Sequence, residues 1–294
     1  MSNLEKALKG AIIQDKYVLG LHWIYDTEKV KAHFDDDSDC FDVLQDSFHK
    51  GKVKGDLTHY GDVMIHFMDY MNSVDQIDVA SYYESFVEWM KEYKGYKDKA
   101  MKMVVANLEE GNYKGSDSSE LGGLVKIPPI LLKYKDKPQL AKLYAIAFTK
   151  ATHDHPIVVT LATYFTDVVY YLDQGMALVE ALDKALSNMP MMIVELFNKA
   201  KEVLKLEPVE AISTLGQACP SEMAFPSVIY LLLKYQNDAP AIFKANVLVG
   251  GDSAARGILL GMVLGAAGFV DESSLETMNE KDRFLSIVSK LKSE

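Results

Sequence analysis

The chain has 294 residues, a formal net charge of −11 at pH 7 and 49% hydrophobic residues, and it contains two cysteines, Cys40 and Cys219. The apolar and aromatic content excludes a disordered chain, and two cysteines are too few for a scaffold built on disulfides. An acidic protein with only two arginines lacks the basic face that a phosphate backbone requires, so we expect no nucleic-acid partner.

Apolar residues recur at helical spacing along most of the chain. The predicted helices cover residues 4–19, 63–71, 80–93, 138–148, 156–171, 176–188, 191–204, 222–235, 239–249, 254–268 and 281–290. The sequence has no sustained period-2 run and no Asn-Gly or Asp-Gly turn, so no strand is predicted. No linker divides the chain. We therefore predict a single all-α domain over residues 1–294.

The apolar runs do not predict a membrane protein. The longest, 228–233 and the glycine-interrupted 258–270, fall short of the roughly 20 residues that a spanning helix needs. The first ten residues do not form a signal-peptide pattern. We expect no membrane partner and a cytoplasmic location.

Two early segments place polar residues near aromatic ones. In residues 21–26, Asp26 could turn toward a ligand, or the segment could simply bury Trp23. In residues 55–71, His59 and Asp62 precede a predicted helix and could hold a metal or move a proton. The alternative is that Asp62 caps this helix and His59 bonds locally.

Three later segments also mark helix starts. Thr152 or Asp154 could cap the helix that begins near Pro156, and the two histidines of this segment are too poorly placed for a zinc pair. Cys219 could be a nucleophile if its helix start lowers its pKa. Asp252 precedes a helix with glycines at spacing four, which predicts close packing, and is an N-cap, a metal ligand or both.

In this order, the segments resemble the ADP-ribosylglycohydrolase family, and most closely its J1-crystallin/selenoprotein J branch. The resemblance rests on Gly10–Asp15, HWIYD at 22–26, THYGD at 58–62, GGLVKIPP at 122–129, THDHP at 152–156, GQACPSEMAFP at 216–226 and GGDSAARG at 250–257. It implies an orthogonal helical bundle with a central cleft, which agrees with the periodicity.

The resemblance also implies two magnesium ions held by two clusters of threonine and aspartate. In this chain the first cluster aligns with residues 59–62, where Tyr60 and Gly61 supply no carboxylate. The second keeps Asp252 but has Ala254 and Ala255 at the next ligand positions. Because magnesium requires oxygen ligands, we expect no functional di-magnesium centre and no metal cofactor.

What remains of the cleft implied by the resemblance has few candidate residues. We expect Asp15, Asp26 and Arg256 to line a vestigial ligand site, and the catalytic candidates that remain, Asp62, Asp252 and His59, are vestigial. Arg256 could there neutralise Asp252 or Asp62 in place of a metal.

The branch resemblance favours a structural eye-lens protein of the J1-crystallin kind. The 14 methionines, 16 tyrosines and 12 phenylalanines are polarizable, and the net charge would keep a concentrated protein dissolved. The alternatives are a divergent hydrolase of N- or O-glycosidic ADP-ribosyl bonds and a nucleotide-binding pseudoenzyme. Self-association at high concentration and an ADP-ribose-like ligand stay open as partners.

Overall fold

The computed structural model describes residues 2–292, which form fifteen α-helices, three short 3₁₀ segments and no strand. The helices are α1 (Asn3–Val18), α2 (Thr27–His33), α3 (His59–Ser73), α4 (Val79–Glu92), α5 (Lys99–Glu109), α6 (Ile127–Lys133), α7 (Pro138–Lys150), α8 (Pro156–Asp173), α9 (Leu178–Leu186), α10 (Met191–Glu202), α11 (Pro208–Leu215), α12 (Ser221–Tyr235), α13 (Ala239–Leu248), α14 (Ser253–Ala266) and α15 (Lys281–Lys292). The predicted all-α class is confirmed.

Each predicted helix corresponds to an observed one, and four further helices are present. Helices α2, α5, α6 and α11 have 7 to 11 residues, so they offer few repeats of the apolar spacing. In α2 only Val30 is buried. Helix α6 carries two prolines at its start, where the missing amide donors cost nothing.

The pair α1 and α14 forms the centre of the molecule. Their backbones touch at glycines: a Cβ added to Gly261 would lie 2.1 Å from the carbonyl oxygen of Gly10, and one added to Gly265 would lie 2.2 Å from that of Lys6. The close packing predicted from the glycine spacing is therefore confirmed. This contact fixes the C-terminal half of α1, with Asp15, beside the N-terminus of α14, which follows Asp252.

The buried apolar side chains form a connected core that includes residues from Leu4 to Leu291. Within the described chain, none of the helices has both the length and the apolar character of a membrane span.

Candidate functional site

The glycine pair before α14 brings two distant segments together. Gly250 and Gly251 have φ of 68° and 71°, a left-handed conformation that side chains disfavour. The amide of Gly251 donates to the carbonyl of Ile24, and the amide of Trp23 donates to the carbonyl of Gly251. His22 therefore lies beside the start of α14, where the amide of Ala254 donates to its Nδ1 at 3.2 Å.

Asp252 lies at this start and is fully buried. Its Oδ1 accepts the amide of Ala255 at 3.4 Å, so the predicted N-cap is confirmed. The Nε2 of His22 lies 3.7 Å from the same oxygen. Burial raises the pKa of Asp252, and the positive charge of Arg256 opposes part of this rise.

Arg256 is fully buried, and its guanidinium is held by neutral oxygens. It donates to Asn246 Oδ1 at 3.0 Å, to the Gly250 carbonyl at 2.6 Å and to the Gln217 carbonyl at 3.3 Å. Arg256 and Asp252 share no direct hydrogen bond, but the charge of Arg256 stabilises the Asp252 carboxylate through space, in the sense of the predicted neutralisation. In the loop before α14, the carbonyl of Gly250 accepts a hydrogen bond from the guanidinium, in the place that a carboxylate was expected to take.

The start of α3 also differs from the prediction. The helix begins at His59, and Thr58 is its N-cap, with Oγ1 accepting the amide of Tyr60 at 3.1 Å. Asp62 lies one turn inside the helix and caps nothing, which corrects the prediction of a cap. Threonine is one of the residue types preferred at an N-cap, and with Thr58 in this position the helix starts four residues earlier than its apolar stripe.

Asp62 has partners other than Arg256. Its carboxylate pairs with Lys52 Nζ at 2.7 Å and accepts the hydroxyl of Tyr93 at 2.6 Å. The predicted neutralisation of Asp62 by Arg256 is therefore wrong, and Lys52 is the cation that pairs with Asp62.

Asp15 is completely buried on α1. Its Oδ1 accepts the hydroxyl of Thr58 at 2.5 Å, and its Oδ2 accepts the amide of Thr58 at 2.8 Å. Burial raises the pKa of Asp15 to about 6, although both bonds from Thr58 oppose this. A Cβ on Gly61 would lie 2.1 Å from Asp15 Oδ2, so no side chain fits at position 61 unless Asp15 moves.

Two other predicted residues have different environments from those expected. Asp26 is exposed and caps α2 by accepting the amides of Glu28 at 3.0 Å and Lys29 at 3.2 Å, so it does not turn toward a buried ligand. Burial raises the pKa of the Cys219 thiol, as do the carboxylates of Asp252 and Glu120. The prediction that the helix start lowers the pKa of the Cys219 thiol and so activates it is therefore wrong.

The segment before α8 is a helix entry without a side-chain cap. His155 occupies the N-cap position, and Pro156 is the first helical residue, as predicted. Neither Thr152 nor Asp154 caps the helix. Instead, Thr152 accepts the ammonium of the buried Lys126 at 2.7 Å, and burial lowers the pKa of Lys126 to about 7.

Three histidines from separate segments meet next to Asp252. His22, His49 and His59 are each no more than 2% exposed, and one potential ligand nitrogen of each lies within 4.8 Å of the others. The ring of His49 lies 5.4 Å from each of the other two rings. The sequence analysis missed His49, because a lone histidine in a polar loop carries no spacing signal.

Burial lowers the pKa of His22 well below its usual value and that of His49 to about 3, and neighbouring histidines act in the same direction. These two rings are therefore neutral at pH 7. Trp23 covers them, stacked on His22 with ring centres 4.4 Å apart.

Two further carboxyl groups at this cluster were also missed. Asp98 Oδ2 lies 3.3 Å from His59 Nε2. Burial raises the pKa of Glu120 to about 7, and the charges of Asp98 and Asp252 add to this. Both residues lie in connections between helices, where periodicity gives no information.

Magnesium ions prefer oxygen ligands in an octahedral arrangement. Within residues 2–292, the group of three or more histidine, cysteine or acidic side chains that could share an ion consists of imidazoles alone. The carboxylates of Asp15, Asp62 and Asp252 are engaged separately by Thr58, by Lys52 and by the N-terminus of α14. Among the described residues these three carboxylates therefore do not meet in one cluster.

Comparisons with known proteins agree with the fold. The family profile described as ADP-ribosylglycohydrolase matches residues 5–294. A solved structure described as "ADP-ribosylglycohydrolase-related protein complex" superposes with a TM-score of 0.71 at 14% identity, over 99% of this chain and 97% of that one. No curated protein matches the chain significantly in sequence. The profile covers nearly the whole chain, and the chain therefore belongs to the ADP-ribosylglycohydrolase family.

Proposed function

We propose that this chain is a family member without magnesium-dependent hydrolysis, and that it works as an abundant structural protein of the J1-crystallin kind in the cytoplasm. The observation that carries the proposal is that protein groups bind the carboxylates of Asp15 and Asp62, while Asp252 is buried at the start of α14, where its Oδ1 accepts the amide of Ala255 and its Oδ2 has no hydrogen-bond partner. Lys52 supplies the cation beside Asp62, and Thr58 supplies two donors to Asp15.

The environment of the second cluster supports the same proposal. Ala254 and Ala255 have no oxygen in their side chains, and Arg256 occupies the carbonyls of Gly250 and Gln217. Asp252 has no exposed surface, so a phosphate or ribose cannot contact it without a rearrangement. A hydrolase needs a water and a substrate at its carboxylates, and burial to this degree opposes both.

Composition and charge support the structural part of the proposal. Methionine and aromatic residues are polarizable, and a net charge of −11 favours repulsion between copies at high concentration. Many ordinary enzymes share these properties, so the branch resemblance of the sequence remains the reason for choosing a crystallin-like role.

The direct test is hydrolysis of ADP-ribose from N- and O-glycosidic linkages, with and without magnesium. We expect no turnover by the native chain in either condition. Magnesium-dependent turnover that Asp252→Asn abolishes would contradict the proposal and support the divergent hydrolase. A rise in melting temperature with ADP-ribose, without turnover, would instead support the nucleotide-binding pseudoenzyme.

A variant with ligands restored sharpens this test. Ala254→Asp with Ala255→Thr returns the oxygens that the resemblance implies, and Ala254→Ser with Ala255→Ser is the matched control without the carboxylate. If the missing oxygens are the cause of inactivity, calorimetric titration with magnesium should give a binding heat for Ala254→Asp with Ala255→Thr and none for the serine control. If neither gains it, the burial of the site is the larger obstacle.

A further inference from the structure

The three buried histidines are contributed by three separate segments of the chain. His22 ends the first 3₁₀ segment, His59 opens α3, and His49 belongs to the long connection between α2 and α3. In that connection Phe48 and Lys50 are exposed, whereas His49 is 1% exposed. The loop therefore inserts one imidazole into the interior.

Ring nitrogens in the cluster lack hydrogen-bond partners. The Nε2 of His49 and the Nδ1 of His59 are buried without one. An unsatisfied buried polar atom lowers the stability of the folded state, so native proteins rarely leave several side by side. A group that accepts lone pairs would satisfy these nitrogens together.

We propose that His22, His49 and His59 bind one divalent cation of the zinc class. Imidazole suits zinc, cobalt, nickel and copper, and these ions require the neutral ring. Zinc–nitrogen bonds of about 2.0–2.1 Å place ligand nitrogens about 3.4 Å apart in a tetrahedral site. The observed separations, within 4.8 Å, therefore need the rings to close in by about an ångström.

Carboxylates lie where they would orient two of the rings. Asp98 Oδ2 is 3.3 Å from His59 Nε2, and Asp252 Oδ1 is 3.7 Å from His22 Nε2. A carboxylate that accepts the second N–H of a metal-bound imidazole fixes the ring and increases its affinity for the ion. In this structure the Nε2 of each of these two rings has no hydrogen-bond partner. If the carboxylate accepts the Nε2–H when an ion binds, Nδ1 is the nitrogen that each ring offers to the ion.

One existing hydrogen bond must open for this. Nδ1 of His22 accepts the amide of Ala254 at 3.2 Å. Ala254 is the second residue of α14, and the side chain of the N-cap, Asp252, is the usual acceptor for an amide at that position. On metal binding, the carboxylate of Asp252 would replace His22 Nδ1 as the acceptor of the Ala254 amide. The start of α14 would therefore keep its hydrogen bond.

This site is independent of the proposed function, since it needs neither hydrolysis nor a lens role. It also differs from the magnesium centre of the resemblance, because its donors are nitrogens. The test uses the full chain freed of metal with a chelator, then titrated with zinc against a chromophoric competitor and with cobalt under a visible absorption spectrum. The control variant is His33→Gln, since His33 is exposed on α2.

We expect one zinc per chain, a visible cobalt spectrum of a four- or five-coordinate ion, and a rise in melting temperature with zinc. His49→Gln should weaken zinc binding by more than about 100-fold, because losing a ligand costs more than losing a group behind it. His33→Gln should bind as the native chain does. If His49→Gln does not fold, His22→Gln takes its place.

Absence of stoichiometric zinc binding would overturn the proposal. So would zinc affinity that is equal in the native chain and His49→Gln, or equally reduced in His33→Gln. Either result would mean that zinc binds elsewhere or at the surface.

Discussion

Asp15 is a charged group whose burial costs stability at neutral pH. Its pKa in the folded chain is raised to about 6, above the usual value of 3.8, so the folded state binds its proton more tightly than the unfolded state does. The stability contributed by Asp15 is therefore lowest above pH 6 and rises as pH falls from 6 to about 4. Thr58 moderates this cost but does not remove it.

Asp15→Asn removes this cost of burying a charge, which is worth up to about 3 kcal/mol at pH 7 from the raised pKa, and that gain is reduced because the single amide oxygen can accept only one of the two Thr58 donors. The gain should shrink as pH falls toward 4, where the native carboxyl is protonated. Chemical denaturation of both proteins between pH 4 and 7 measures it, with the exposed Asp42→Asn as control. A difference between native and Asp15→Asn that does not change with pH would contradict this account.

Arg256 stabilises the loop before α14 through four carbonyl or amide oxygens, two of Asn246 and one each of Gln217 and Gly250. Arg256→Ala would leave these oxygens buried and unsatisfied, so we expect a loss of at least about 3 kcal/mol in the free energy of unfolding.

The matched control is Arg283→Ala, at the other arginine of the chain. Arg283 is exposed and pairs with Asp69 and Glu280 at the surface, so its loss should cost less than about 1 kcal/mol. Equal melting temperatures of the native chain and Arg256→Ala would show that the buried contacts do not stabilise the loop.

At the scale of elements, the contact between α1 and α14 depends on residues without a side chain. Gly261→Ala would place its Cβ 2.1 Å from a backbone oxygen of α1, which no rotamer relieves. We expect a loss of about 3 kcal/mol or more, at the upper end for overpacking.

Gly257→Ala is a control on the same helix. Its Cβ would meet only the amide nitrogen of Asn246 at 3.2 Å and Gln14 beyond 3.5 Å. The gain in helix propensity, about 1 kcal/mol, should largely offset that contact. If both variants unfold at the same denaturant concentration, the helices do not pack as closely as described.

The sequence predicts the long helices well, because each repeats its apolar spacing several times. It predicts the starts of helices less well: the apolar stripe of α3 begins at Val63, whereas Thr58 already caps the helix. The site was harder to predict, since Lys52, Asp98 and His49 lie in connections. Lys52 pairs with Asp62, Asp98 lies beside His59, and His49 joins His22 and His59. These contacts depend on packing between segments that share no periodicity.

For the whole molecule, the relevant property is its acidity. A net charge of −11 and a sequence pI near 5.2 predict repulsion between copies at neutral pH. Light scattering should give a positive second virial coefficient at low salt, which falls as salt shortens the screening length to about 10 Å at 0.1 M. Net attraction at pH 7 and low salt would oppose the structural role.

We propose that the carboxylates retained at the family positions no longer hold magnesium. Calorimetric titration of the native chain with magnesium tests this most directly, with Asp252→Asn as reference. We expect no saturable heat beyond that of the reference. Saturable binding of two magnesium ions per chain, lost in Asp252→Asn, would contradict the account.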